Sequence, residues 1–292
     1  MKFGQVDRPE VVDFSLPEDH PDTAAFLSNN KEDFPVNVRV GCAKWNRQDL
    51  KNFYPRGTKN ELKYYSSQFN SIELNATFYR IFPPEQFEKW AYTTPDNFKF
   101  FPKLVRNISH LRRLNDKSYP VVDEYLIGAA NLKDKLGTLF LQMHNNFGSK
   151  NWDRVVRFVE YWPKEFPLAM EFRHTDWFND EKVAEELYHL LQENDIANIL
   201  VDTAGRRDLL HMRLTNNEAF IRYVGANHKS DYTRLDEWVE RLIEWKEAGL
   251  TNINFFVHQN VERESPLLAA YFIEKLNKKL GTDLNIPKML GG

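Results

Sequence analysis

Two short stretches place ionisable side chains at the ends of apolar runs: Ser71-Ile-Glu-Leu-Asn-Ala-Thr77 and Leu168-Ala-Met-Glu-Phe-Arg173. In a strand successive side chains point to opposite faces, so Glu73, Asn75 and Thr77 share one face and Ile72, Leu74 and Ala76 the other. The second stretch repeats the pattern, with Ala169, Glu171 and Arg173 opposed to Leu168, Met170 and Phe172. Carboxylates facing each other across a lumen serve as acid and base when their surroundings drive their pKa values apart. Paired with Arg173 or Lys103, the same carboxylates would only be neutralised. Both readings are open at this stage.

The same parity, applied to the other apolar runs, ends inner rows at Lys103, Gln142, Asp202, Arg222 and His258. Burying such groups is costly unless they are paired or act on a ligand. The expected roles are proton transfer by Glu73 and Glu171 with His174, orientation by Asn75 and Gln142, and anion binding by Lys103, Arg173 and Arg222. His110, in the basic segment Lys103–Arg113, also belongs near the mouth, as a group able to exchange protons. Trp45, Tyr79 and Trp177 are the aromatics nearest the strand ends, placed to stack on a ligand. Gly225-Ala-Asn-His-Lys229 stands where barrels often hold phosphate on loop amides. Glu73, Glu171, Asp202 and His258 together offer a donor set for a divalent metal, although no metal-ligand spacing motif supports one. No other cofactor is implied.

These positions require strands that end at a common rim. From Val38 onward, apolar runs alternate with amphipathic segments for eight rounds: Val38–Ala43, Ser71–Thr77, Phe98–Lys103, Thr138–Met143, Leu168–Phe172, Ala197–Asp202, Ala219–Val224 and Ile253–His258. Eight βα rounds predict an α/β fold of the (β/α)8 TIM-barrel type, in which loops after the strands' C-terminal ends carry the chemistry. Helices are expected from Pro84 through Ala91, over Glu181–Asn194, over Leu235–Ala248 stopped by Gly249, and from Ser265-Pro266 to Gly281. The segment Thr203–Asn217 is short and charged for a helix. Residues 1–36 read as an N-terminal arm and 37–292 as the single barrel domain.

A length of 292 residues suits one such barrel, and 42% hydrophobic residues can fill its core. The net charge of −3 supplies no global basic field, so nucleic acid is not favoured as a partner. Cys42, the only cysteine, falls on the helix-facing parity of its strand and reads as packing. With no apolar leader and no spanning run, the expected setting is cytoplasmic, away from membranes. The oligomeric state is not legible.

Several motifs carry a resemblance: Val40-Gly-Cys-Ala-Lys-Trp45, Phe53-Tyr-Pro55, Phe69 through Arg80, Trp90 with Thr94-Pro95, Phe98 to Lys103, and Glu171-Phe-Arg-His-Thr-Asp-Trp177. In these the chain resembles the YecE-like family, known as domain of unknown function 72, over about Val38 to Leu280. The resemblance implies a TIM-barrel-like fold and no settled activity. Three places depart from the family's pattern: Ala43-Lys44 in the first loop, Gln142-Met-His-Asn145 after the fourth strand, and Arg222-Tyr-Val-Gly225 where a rim histidine is usual. The sequence thus points to an acid/base enzyme, hydrolase or lyase, acting on a small anion such as a phosphorylated sugar-like or nucleotide-like molecule. Its alternatives are a metal-assisted phosphodiester hydrolase and a non-catalytic ligand- or protein-binding barrel.

Overall fold

The computed structural model describes residues 4–29, 31 and 35–289. Its strands are β1 (Asn37–Cys42), β2 (Ser71–Leu74), β3 (Lys99–Pro102), β4 (Leu139–Gln142), β5 (Leu168–Glu171), β6 (Ala197–Asn198), β7 (Leu200–Thr203), β8 (Glu218–Gly225) and β9 (Asn252–Gln259). The helices are α1 (Pro21–Asn29), α2 (Glu61–Gln68), α3 (Pro84–Thr93), α4 (Tyr119–Ala129), α5 (Trp152–Tyr161), α6 (Glu181–Glu193), α7 (Ser230–Ala248) and α8 (Ser265–Leu280). Local chemistry sets their ends. The Asp180 carboxylate caps α6 by accepting from the Lys182 and Val183 amides. Gly249 and Gly281, both at positive φ, stop α7 and α8, and Pro266 opens α8.

All strand pairs are parallel, as βα alternation requires. The ladders form three sheets, ordered β1-β9-β8-β7, β2-β3 and β4-β5-β6. Isolated bridges Phe100–Leu136 and Lys103–Phe140 link the second sheet to the approach of the third. No continuous ladder closes on itself among the described residues, so the fold is a parallel α/β arrangement and not a demonstrated closed barrel.

Side chains connect the sheets where ladders do not. Phe101, Phe140, Ala169, Ala197, Ile199, Val201, Phe220 and Phe256, all on or beside strands β3 to β9, form a core cluster of their own. A larger cluster lies between strands and helices. At residue 41 a Cβ would stand 2.2 Å from the Ser71 carbonyl oxygen, so only glycine lets β1 and β2 approach this closely.

Two strands differ from their expected extents in ways that matter. β2 ends at Leu74, and a 3-10 turn over Asn75–Phe78 follows. Alternation therefore stops there, and the Thr77 hydroxyl turns to the carbonyls of Leu74 and Lys103. The sixth run is divided at Ile199, and its inner row is Ala197, Ile199 and Val201.

After β7 comes a 3-10 segment, Ala204–Leu209, in place of an α-helix. The N-terminal arm occupies the helical layer beside it. His20 packs edge-on against Tyr188 of α6, with ring centroids 5.3 Å apart. Asp19 accepts from Trp245 of α7 at 2.8 Å. Thr23 donates to the Met212 carbonyl and accepts from the Leu214 amide, while Leu27 is fully buried. The arm is thus stitched into the gap between α6 and α7. Among the described residues no helix is long and apolar enough to cross a membrane.

Candidate functional site

The C-terminal ends of the strands bring Glu73, Lys103, Gln142, Glu171, Arg222 and His258 into one hydrogen-bonded cluster, together with Asn75 and Arg173 from the loops that follow. Its centre is Arg222 of β8. The guanidinium forks onto Glu73 of β2, with Nε 2.9 Å from Oε2 and Nη2 2.8 Å from Oε1. Its third nitrogen, Nη1, reaches Glu171 Oε2 of β5 at 2.6 Å. One side chain therefore ties together strands of all three sheets.

Each carboxylate is saturated. Glu73 Oε1 also accepts from Asn75 at 2.7 Å, and Oε2 from His258 Nε2 at 2.8 Å. Glu171 accepts from the Gln142 amide at 3.0 Å on both oxygens and from Arg173 Nε. Burial opposes ionisation of Glu171, but the charges of Arg173 and Arg222 and the Gln142 amide outweigh it and hold the carboxyl at about 2. Glu73 is likewise buried, and Arg222 and His258 keep it well below the usual carboxylate range. Arg222 is raised in turn: its burial is overcome by both carboxylates.

This corrects the acid/base pair. Useful partners have pKa values driven apart, whereas Glu73 and Glu171 are both driven down and stay ionised near neutrality. The metal donor set also fails to fit. A cation at Glu73 and Glu171 would have to displace the Arg222 guanidinium lying between them, and Asp202 is not on this side of the wall. Asp202 is fully buried and faces the helical layer, accepting from Arg234 at 2.6 Å, from Trp238 of α7 at 2.8 Å, and from Arg207. Arg207 in turn donates to the carbonyls of Phe14 and Ser15. Asp202 is thus an anchor for the N-terminal arm.

Lys103 differs from its neighbours. It is 7% exposed, and its Nζ donates to Gln142 Oε1 at 2.8 Å and lies 4.4 Å from the centre of the Phe78 ring. No carboxylate among the described residues lies within ion-pair distance of it. Burial, reinforced by the positive charges of Arg222 and Arg173, brings its pKa down to about 7.

His110 is carried on a π-helical turn, Asn107–Leu111, and packs edge-on against Phe78 and against His144. Burial and the neighbouring His144, Lys103 and Arg173 pull it down to about 4. Sequence parity did not mark His144, because it lies beyond the end of β4; its place two residues after Gln142 was the available signal. Glu262 was missed as well, four residues after His258, whose Nδ1 it approaches at 4.0 Å.

His174 and Trp177 are not in the cluster. The His174 ring accepts from the Asp176 amide and caps the local turn, while Trp177 is buried, donates to the Phe147 carbonyl and stacks on its ring. Nor are the central amides of the Gly225–Lys229 loop, those of Ala226, Asn227 and His228, open to a ligand. Asp231 accepts from Ala226 and His228, and Gln259 accepts from Asn227. The expected phosphate nest is filled by the protein's own groups.

Two cavities open beside the cluster. One of about 320 Å³ is lined by Arg173, Arg222, Val201, His258 and Glu262 among others, and one of about 440 Å³ by Glu73, Asn75, Trp45 and the exposed Tyr79. Lys44 borders both. The departure at Ala43-Lys44 therefore falls on the wall between them.

A family model described as "Protein of unknown function DUF72" matches residues 39–289. The chain is 27% identical over 268 residues to the UPF0759 protein YecE of Escherichia coli K12, covering 83% of this chain and 94% of that protein. It is 25% identical over 201 residues to the UPF0759 protein YunF of Bacillus subtilis 168, covering 65% of this chain and 71% of that one. Among solved structures, a DUF72 family protein from Enterococcus faecalis V583 superposes with a TM-score of 0.67 at 19% identity, over 87% of this chain and all of that one. A second, from Thermotoga maritima MSB8, gives 0.62 at 23% identity, over 82% and 99%.

Proposed function

The chain belongs to the DUF72 family, and from that premise we propose that it is an enzyme of small organic anions whose proton-transfer group is Lys103. In this reading the three sheets form one barrel-like wall, with the hydrogen-bonded cluster at its mouth. The observation that carries it is a charge imbalance. Glu73 and Glu171 are matched by Arg173 and Arg222, two against two, which leaves Lys103 as an unmatched buried cation among the described residues. A buried charge without a partner is costly, and an anionic ligand supplies the partner. A lysine near neutrality is also suited to give and take protons at working pH. Glu73 and Glu171 then position the two guanidiniums and carry no proton themselves. Trp45 and Tyr79 line the neighbouring cavity with Glu73 and Asn75, where their rings offer a stacking surface beside the cluster.

A second reading keeps the anion and drops catalysis: saturation of both carboxylates favours a ligand-binding barrel. Native mass spectrometry of freshly purified protein, followed by incubation of the retained ligand with wild type and Lys103→Met, separates the two. Turnover by wild type that is lost in K103M supports the enzyme. A ligand retained unchanged by both supports the binding barrel. A Lys103 amine whose acylation rate titrates above about 9.5, near an ordinary lysine, contradicts the assignment of Lys103.

A further inference from the structure

The surroundings of Lys103 match what a lysine needs to act as a nucleophile as well as a base. Among the described residues its ammonium has no carboxylate partner to hold it protonated. Phe78 and Phe140 present apolar faces to it, with centres 4.4 and 5.8 Å away. Two guanidiniums stand close by, joined to it through Gln142, which accepts from Lys103 and donates to the carboxylate held by Arg173 and Arg222. Desolvation and neighbouring cations are the conditions under which a lysine amine becomes reactive toward carbonyls.

Resting on the reading above, we propose that Lys103 forms an imine with a small 2-oxo acid whose carboxylate lies toward Arg173 and Arg222. The neutral Nζ attacks the carbonyl carbon and a C–N bond forms. The carbonyl oxygen takes up the two protons released by the nitrogen and leaves as water, so the step consumes no oxidant or reductant. Glu73 and Glu171 contribute by fixing the guanidiniums; three of the five Arg222 N–H groups are spent on them, and the remaining two can meet a planar carboxylate. Burial and the nearby arginines bring the amine to about 7, so a large fraction is unprotonated at neutral pH.

The test is reductive trapping at pH 7 with pyruvate, 2-oxobutyrate or 2-oxoglutarate and sodium cyanoborohydride, followed by peptide mapping. In parallel, each oxo acid is scored for protection of Lys103 against an amine-acylating reagent without reductant. The expected result is a reduced adduct on Lys103 with at least one oxo acid, in excess over Lys44 and Lys99, and absent from Lys103→Arg. Protection without an adduct for all three acids overturns the imine and leaves the anion site standing. Neither protection nor adduct for any of them overturns both. Because the adduct is mapped on the wild-type protein, the test is decisive even where a variant fails to fold.

Discussion

Replacing Arg222 by methionine tests the central geometry most directly. The guanidinium makes three charge-assisted bonds at 2.6–2.9 Å to two carboxylates that are each no more than 1% exposed. Breaking a buried pair by removing one partner typically costs about 3–5 kcal/mol, because the other charge is left uncompensated. Here two carboxylates lose their shared partner, but Glu171 keeps Arg173 and Gln142 while Glu73 keeps only His258 and Asn75 among the described residues, so R222M is expected within that range, with most of the loss at Glu73. The pH dependence should also reverse. In wild type both carboxyls are depressed, so their contribution is present above about 4.5 and is lost as pH falls through the folded value, about 2 for Glu171. Without Arg222, burial dominates at Glu73 and the folded pKa rises. Stability should then be highest in acid and fall as pH increases past about 4.5. Urea denaturation of both proteins between about pH 4 and 8 measures this, and adding Glu73→Gln to R222M should recover part of the loss at neutral pH. A loss below about 1 kcal/mol with an unchanged pH slope would refute the reasoning.

Further outcomes follow from other buried groups. Glu218, at the start of β8, is pushed by burial up to about 7 despite hydrogen bonds from Thr138 and Asn254. A raised carboxyl stabilises below its unfolded value of 4.5, and its contribution is lost as pH rises toward 7; Glu218→Gln should therefore gain about 2–3 kcal/mol over wild type between about pH 5 and 8, and equal stability at both pH values would contradict this. Asp202→Asn should lose about 3 kcal/mol in denaturation by weakening the pairing of Arg234, while leaving oxo-acid protection of Lys103 intact; loss of protection with a normal melting curve would return Asp202 to the site. Removing residues 1–29 should expose Trp245 and the flank of α6, seen as a large drop in melting temperature or as aggregation, and a truncated chain that melts like the full one would show the arm to be dispensable.

The order of strands and helices was legible from the chain because apolar periodicity is imposed locally: a strand buried on both sides and a helix with one buried stripe write different spacings. That same periodicity delivered Glu73, Lys103, Gln142, Glu171, Arg222 and His258 to one cluster. It misplaced Asp202, since the inner row is the apolar one, Ala197, Ile199 and Val201, whereas the polarity of the row holding Asn198 and Asp202 had suggested the lumen. The polar side of the sixth run is satisfied by Arg234 and Trp238, which lie more than thirty residues away and could not be foreseen from the run itself. His174 and Trp177 failed for a related reason: a 3-10 turn after β5 ends alternation, turning His174 onto the Asp176 amide of its own loop and Trp177 onto Phe147 in the segment after β4. The use of the arm to fill the layer where no helix follows β7 also depends on contacts distant in sequence. Side-chain type and spacing determine which groups are available, because these act through the nearest turns. Which carboxylate keeps its proton, which lysine lies without a carboxylate partner among the described residues and which loop amides are already spent depend on partners from other strands, and only the folded chain brings those together.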